Sequence, residues 1–345
     1  MHSFDIFKYE LAIKEENHGE RSEPKIFYRK KKLWYFFYAN TGIGKIYHRR
    51  DIAKAREKYP DGTAHSVIQP KNYNDLCITP LPILLDNYSY LITDKKNACS
   101  VVVDPGDPEP VLKYLKENDI VPEAALITHK HWDHSGGNAE MKKAFSNIRI
   151  YGGVHDNVNN VTHTVDEDNE LTFGNMRFTV KFTPGHTVGH VVYLLDGAPF
   201  GAPDHLFSGD HLFLSGCGRM FEESAAKMLQ SLDKLSQFKA DTLVWPGHEY
   251  ALDNLDFSCH LDPDNVSAQD KLAWSKEQRE KSLCTCPTTL EEELSFNPFL
   301  RTKEESVLRA VGMVTDSNFQ TPSNDVRARA LAEIRARKDS YKYKL

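Results

Sequence analysis

Cysteine is scarce in this sequence of 345 residues, and sorting signals are not apparent. Six cysteines, Cys77, Cys99, Cys217, Cys259, Cys284 and Cys286, are too few for a disulfide scaffold. The opening MHSFDIFKYE has neither the basic start nor the apolar core of a secretory signal. Acidic residues at Asp5, Glu10, Glu15 and Glu16 argue against a mitochondrial address. A reducing, cytoplasmic setting is the expectation, with a mitochondrial or membrane-associated one left open. No stretch approaches the roughly 20 apolar residues of a membrane-spanning helix. Repeats and low-complexity tracts are absent as well. The net charge of -6 comes with no extended basic track, so nucleic acid is not an expected partner.

What is present is ordinary globular composition, 40% hydrophobic and 27% charged, in a length that suits roughly two domains. Residues 1–75 read as an N-terminal extension that opens on a loosely ordered polar tail over 1–25. In IFYRKKKLWYFFYANTGIGKIYHRR (26–50), lysine and arginine interleave with aromatics. Two readings of this arm stay open. It could make a peripheral contact with an anionic membrane surface. The shortness of the stretch and its irregular charge spacing favour the other, a short ordered arm packing its aromatics on the main domain.

From residue 80 the texture alternates between apolar strands and amphipathic helices. ILLDNYSYLITD (83–94) and CSVVVDPGD (99–107) read as strands, and PVLKYLKEND (110–119) as a helix. EAALITH (123–129) is a short buried strand running into a loop. Residues 138–144 suit a helix, 148–152 a strand, and LTFGNMRFTVKFT (171–183) a hairpin turning at Gly174-Asn175. HVVYLLD (190–196), DHLFSGD (204–210) and DTLVWPG (241–247) continue the strand series around a helix over 223–238. After Tyr250 the β texture stops, and helices are expected over 263–281, 289–295, 303–311 and 323–340. The expected domains are therefore 1–75, 76–250 and 251–345, an α/β sandwich followed by a helical cap.

The densest chemistry lies in THKHWDHSGGN (128–138), directly after a buried strand. In extended backbone His129 and His131 point to the same side. The chain then turns and presents Asp133 and His134 to a second point. Four candidate ligands within six residues at a strand end are hard to explain as solvated or core histidines. Three further strand ends supply His186, Asp210 and His248, each preceded by a glycine that permits a tight backbone path. Imidazole and carboxylate suit zinc, iron(II) or manganese. His129, His131 and His186 would hold one divalent ion, and Asp133, His134 and His248 a second. Asp210 would bridge two ions about 3.5–4 Å apart. Other features read plainly. Cys284-Thr285-Cys286 lacks redox spacing and suits a surface loop, Cys217 is a small packed residue rather than a nucleophile, and Trp132 is a wall of the site.

THxHxDH with the downstream His, Asp and His resembles the signature of the metallo-β-lactamase superfamily. Within it, GCGRMFEES (216–224), GHEYALDNL (247–255) and NPFLR (297–301) resemble glyoxalase II, the hydroxyacylglutathione hydrolase, over about residues 80–345. LPILLDNYSYLI (81–92), THKHWDHSGGN and FLSGCGR (213–219) are similar to a glyoxalase-II-like branch that also carries an extra N-terminal segment. The resemblance implies an αββα metallo-β-lactamase sandwich followed by a helical C-terminal domain that binds glutathione. It implies two divalent metal ions per chain, zinc foremost, with iron or manganese compatible. The implied reaction cleaves S-2-hydroxyacylglutathione, such as lactoylglutathione, to glutathione and a 2-hydroxy acid by attack of a metal-activated hydroxide. Asp133 and Asp210 count as catalytic, Asp133 as a ligand that also orients the nucleophile. Arg219 and Tyr250 are placed on the tripeptide, and Arg335 and Lys338 of IRARKDSYK (334–342) on its carboxylates. Phe221 stands where certain glyoxalases have a tyrosine that bonds glutathione, so one hydroxyl contact is expected to be missing. Glu222-Glu223 replaces the more usual Glu-Gly and is expected to add negative charge beside an anionic substrate. The rival readings are a weakly active, membrane-associated regulatory protein that retains the metal site, and a mono-iron persulfide dioxygenase.

Overall fold

The computed structural model describes residue 35, residues 42–315 and residues 319–341. The expectations for 1–25 lie outside the described residues, as does most of the basic-aromatic arm.

The first described helix, α1 (Gly42–Lys58), enters a seven-stranded sheet whose spatial order follows the sequence. Its strands are β1 (Lys71–Tyr73), β2 (Leu76–Ile83), β3 (Asn87–Asp94), β4 (Cys99–Val103), β5 (Ala124–Ile127), β6 (Arg149–Gly153) and β7 (His163–Val165). Helix α2 (Pro108–Glu117) joins β4 to β5, while α3 (Trp132–Ser135) and α4 (Asn138–Ala144) join β5 to β6. Both crossovers connect parallel strands. The chain then builds β8 (Glu170–Phe173), β9 (Met176–Phe182), β10 (Val191–Leu195) and β11 (His205–Gly209). A small hairpin, β12 (Leu212–Phe213) with β13 (Gly216–Cys217), and α5 (Ala225–Leu235) precede β14 (Leu243–Pro246). Helices α6 (Ala251–Leu261) and α7 (Val266–Glu280) lead to β15 (Thr288–Thr289), and α8 (Leu290–Phe296), α9 (Glu305–Ala310) and α10 (Asn324–Ser340) follow. The second sheet runs β15-β14-β11-β10-β9-β8.

Period-two alternation explains the stacking. Tyr88, Tyr90 and Ile92 of β3, with Val191, Tyr193 and Leu195 of β10, face a core between the two sheets. Their neighbours turn outward. Leu91 and Val102 meet Val111 and Leu115 of α2 and Met141 of α4. Val192 and Leu206 meet Met228, Leu229 and Leu232 of α5, together with Leu331 and Ile334 of α10. Strands apolar on both faces must be covered on both faces, and the result is the expected αββα sandwich followed by helices.

Three local readings need correction. The run 83–94 is not one strand: Leu84 has a positive φ of 53° and turns the chain between β2 and β3, which pair antiparallel. Cys284 and Cys286 are not on a surface loop but are buried in the inter-sheet core, where the Tyr90 hydroxyl lies 3.6 Å from Cys286 Sγ. Helix α6 begins at Ala251, a dozen residues before the first helix expected there, and Tyr250 at its N-terminus makes no side-chain cap. That missing cap removes the usual start signal.

Within residues 26–50 the described part is Tyr35 and the first half of α1. That helix packs on the sandwich through buried His48 and Ala55 and half-buried Ile52. Arg56 pairs with Asp107, the N-cap of α2, at 2.7 Å. Among the described residues no helix is long and apolar enough to cross a membrane.

The last helix is clamped to the sandwich by a buried arginine. Arg327 of α10 is 4% exposed and bonds both Asp233 oxygens, at 2.8 and 2.5 Å. Removing one partner of a fully buried pair costs roughly 3–5 kcal/mol. Because Asp233 is 40% exposed, the expected loss for Asp233→Ala in urea unfolding is smaller, about 2 kcal/mol. A loss below about 0.5 kcal/mol, as for an ordinary surface pair, would show that the clamp is dispensable.

Candidate metal centre

The site forms where four strands end. His129 follows β5, His186 follows β9, Asp210 follows β11 and His248 follows β14, while His131, Asp133 and His134 sit on the turn into and through α3. Gly209 bears a φ of +49°, and a Cβ there would lie 2.4 Å from Thr128 Oγ1. A Cβ on Gly247 would lie 2.7 Å from the His134 ring and 2.8 Å from Asp210 Oδ1. Bare backbone at these two positions lets β11 and β14 deliver their ligands side by side, tied by the Gly247 N–H donating to Gly209 O at 2.9 Å.

All seven expected ligands converge. His129 Nε2 and His186 Nε2 each lie 3.0 Å from His131 Nδ1. Tetrahedral zinc with bonds of about 2.0–2.1 Å separates its nitrogens by about 3.3 Å, so this triad is already close to that shape. A second group joins Asp133, His134 and His248, and a third overlaps both through His129, His134 and Asp210. Asp210 stands between them. Its Oδ1 is 3.2 Å from His134 Nε2 and 3.3 Å from His248 Nε2, while its Oδ2 is 3.3 Å from His186 Nε2.

Outer partners fix which nitrogen faces inward. His134 Nδ1 donates to Asp104 at 2.9 Å, and His248 Nδ1 to Asp86 at 2.8 Å. His186 Nδ1 donates to the Arg219 carbonyl at 2.8 Å. Thr128 Oγ1 donates to Asp104 at 2.7 Å and so accepts from His129 Nδ1 at 3.1 Å. Asp133 accepts from the Asn87 amide at 3.1 Å. Sequence reasoning named none of Asp86, Asn87, Asp104 and Thr128. The available signal was position, since Asp104 and Thr128 each lie one residue beyond a strand end.

The electrostatics suit a divalent cation. Burial and mutual repulsion push His129 and His131 well below the usual imidazole range, and burial lowers His186, leaving three neutral lone pairs. Burial also acts against a proton on His134, but the carboxylates of Asp210 and Asp133 outweigh it and raise that imidazole to about 10. His248 is raised in the same way, chiefly by Asp210. Asp210 and Asp133 stay ionised despite burial because these histidines face them. Asp210 Oδ1 has no hydrogen-bond partner. A buried carboxylate oxygen aimed at imidazoles fits a metal ion, which would replace the protons it otherwise attracts.

The expected substrate residues gather less tightly. Arg219 donates from Nε to Asp339 at 3.0 Å, and the same carboxylate pairs with Arg335 at 2.9 Å. Arg335 also donates to the Cys217 carbonyl at 3.0 Å. Lys338 donates to the Asp253 carbonyl on α6 at 2.5 Å, and burial lowers its ammonium to about 7. The Tyr250 ring stacks on His248, centroids 4.6 Å apart. Phe221 lies across the other side, 5.3 Å from the His186 ring and 5.9 Å from that of His131. Half-buried Trp132 stacks on His48 of α1, with centroids 6.4 Å apart. Cys217 is buried, its thiol pushed up to about 12, which suits packing and not attack. Of the Glu222-Glu223 pair the added charge is Glu223, which is half-buried ahead of α5, whereas Glu222 is held within the fold. Its carboxylate pairs with buried Lys130 at 2.7 Å and accepts the Val188 N–H at 2.8 Å, so it is neutralised within the fold.

Comparison with known proteins places this geometry in a family. Residues 83–248 match the metallo-beta-lactamase superfamily, and residues 249–341 match the hydroxyacylglutathione hydrolase C-terminus. The cytoplasmic hydroxyacylglutathione hydrolase of Arabidopsis thaliana is 39% identical over 264 residues, 76% of this chain and 98% of that protein. The hydroxyacylglutathione hydrolase-like protein of Gallus gallus is 38% identical over 265 residues, 76% of this chain and 89% of that protein. With its His/Asp cluster for divalent metal and its matched C-terminal helices, the chain belongs to the hydroxyacylglutathione hydrolase (glyoxalase II) family, metal-dependent hydrolases of the metallo-β-lactamase superfamily.

Proposed function

We propose that this protein hydrolyses S-2-hydroxyacylglutathione thioesters, lactoylglutathione among them, at a pair of divalent metal ions. Water adds to the thioester carbonyl and the C–S bond breaks, giving a 2-hydroxy acid and glutathione. The single observation that carries the reading is the straddling position of Asp210, one oxygen toward His134 and His248 and the other toward His186. A carboxylate so placed suits two ions sharing a bridge. Zinc is the proposed metal, and the same donors accept iron or manganese. When bound, the ions supply Lewis acidity at the carbonyl and a water that ionises near neutral pH.

The chain's own groups do the rest. His129, His131 and His186 would hold one ion, and Asp133, His134 and His248 the other. Asp133, kept ionised by the imidazoles beside it, also orients the attacking water. The leaving thiolate, with a parent pKa near 8.5, departs without a dedicated acid. Arg219, Arg335, Lys338 and Tyr250 receive the glutathione half, with the Phe221 ring closing the opposite side. Residues 251–345 thus act as the glutathione-binding part. The proposed setting is cytoplasmic, a word carried by the name of the Arabidopsis relative.

Elemental analysis beside steady-state hydrolysis of lactoylglutathione tests the bridge. Two metals per wild-type chain are expected. Asp210→Ala should lose at least one and slow turnover about a hundredfold or more. A single metal in the wild type, or unchanged turnover in Asp210→Ala, would end the proposal.

Lys338 makes glutathione binding pH-dependent with a definite sign. Its free-protein value of about 7 means that it is charged below pH 7 and neutral above, so a carboxylate ligand binds with proton uptake at higher pH. Calorimetry should show glutathione affinity falling as pH rises from 6 to 8, by at most about tenfold per unit above the midpoint. Lys338→Arg, which stays charged, should flatten the profile. An equal slope in Lys338→Arg would remove Lys338 from the binding site.

A further inference from the structure

Four of the five metal-site histidines find the partner for their second nitrogen within the stretch that matches known families, from Asp86 to Arg219. His131 does not follow them. It turns its ring the other way, with Nδ1 facing the His129 and His186 nitrogens and Nε2 facing outward. That outward nitrogen lies 2.9 Å from the hydroxyl of Tyr35. Presenting the Nδ1 lone pair inward requires the hydrogen on Nε2, so Nε2 donates and the phenol oxygen accepts. Tyr35 is only 8% exposed. Its ring lies flat on Phe221, centroids 4.7 Å apart and planes 11° from parallel, and stands edge-on to His131 at 5.8 Å. Both aromatic rings therefore press on the one imidazole.

We infer that Tyr35 is a positioning residue of the metal centre: through its hydroxyl it fixes the Nδ1-facing tautomer of His131, and through its ring on Phe221 it holds that imidazole in place. It lies well ahead of Ile83, where the match to the superfamily begins. The metal site of this chain is thus completed by its N-terminal extension. Outer partners of metal-bound histidine typically change metal affinity by 10–100-fold when removed. The inference deepens the proposed function in that it concerns the same metal site. It does not depend on the identity of the substrate, because its readout is metal retention.

The test uses the full chain loaded with zinc, and it measures zinc transfer to a chromogenic chelator together with the melting temperature of the metal-free protein. Tyr35→Phe keeps the ring and loses the hydroxyl. It should release the zinc held by His131 10–100-fold more readily, with the metal-free melting temperature unchanged. Replacing zinc by cobalt(II) gives a second readout, since a reoriented His131 shifts the visible absorption of the bound ion. Tyr341→Phe, which removes a hydroxyl bonded to Asp256 far along the chain, should retain zinc as the wild type does. Wild-type zinc retention and an unshifted cobalt spectrum in Tyr35→Phe would overturn the inference. So would equal weakening in Tyr341→Phe. Failure of lactoylglutathione hydrolysis by the wild type, with the expected faster loss of zinc from Tyr35→Phe, would count against the substrate and leave Tyr35 in its role.

Discussion

Two carboxylates, Asp133 and Asp210, are sunk among five imidazoles, and the remainder of the molecule is arranged around that fact. Burying like charges together is costly unless positive charge is supplied at the same point. Part of it comes from protons on His134 and His248, held at high affinity by the carboxylates they face. The other three histidines are kept neutral by burial. The site therefore divides into a side that attracts cations by charge and a side that offers lone pairs, with Asp210 between them. Divalent metal satisfies both sides at once. This is why the donor set is better explained by metal than by a proton relay.

The fold serves this arrangement through strand ends. A sandwich whose sheets are apolar on both faces leaves its polar chemistry no place but the rims, where backbone leaves the ladder. At the rim used here the constraint is steric as well as electrostatic. Gly209 and Gly247 are in contact range of Thr128, His134 and Asp210, so that a methyl group at either would displace a ligand or its support. Below the ligands, Asp104 takes hydrogen bonds from Thr128 and from His134, and Thr128 in turn takes one from His129. One buried aspartate thereby orients a ligand on each side of the centre. Rigid strands give coarse placement, and these bonds set the ring orientations.

Much of this was legible in the sequence because its signals are local. THKHWDHSGGN after an apolar strand states both the ligand types and their geometry, since alternation in extended backbone puts His129 and His131 on one side. Strands and helices with clear periods, such as CSVVV and the α5 segment, were likewise readable. What escaped reading depends on contacts distant in sequence. Asp86 and Asn87 matter because β3 begins beside the end of β14, 161 residues on, where Asn87 forms a bridge with His248. The burial of Cys284 and Cys286 follows from β15 pairing onto β14, which brings that loop over the inter-sheet core. The split of 83–94 was missed because a left-handed leucine has no composition signal. The pairing of Glu222 with Lys130, 92 residues away, likewise shows only in the fold.

Along the proposed substrate wall the charges are already paired. Arg219 and Arg335 do not stand as bare cations, for Asp339 sits between them and pairs with both. A carboxylate arriving there would exchange with Asp339 instead of meeting unpaired guanidinium groups. Such an exchange swaps one ion pair for another, and its net gain is small compared with that of a first pair. Glu222 is likewise paired internally, which would leave Lys338 as the adjustable charge of the proposed wall, and burial keeps that amine near the point of losing its proton. The proposed selection of a glutathione thioester would then rest less on bulk positive charge than on the fit of the tripeptide between α10, Tyr250 and the aromatic pair at Phe221. The Phe221 ring, 5.3 Å from the His186 ring and 5.9 Å from that of His131, would then tie that fit to the orientation of two metal-site imidazoles.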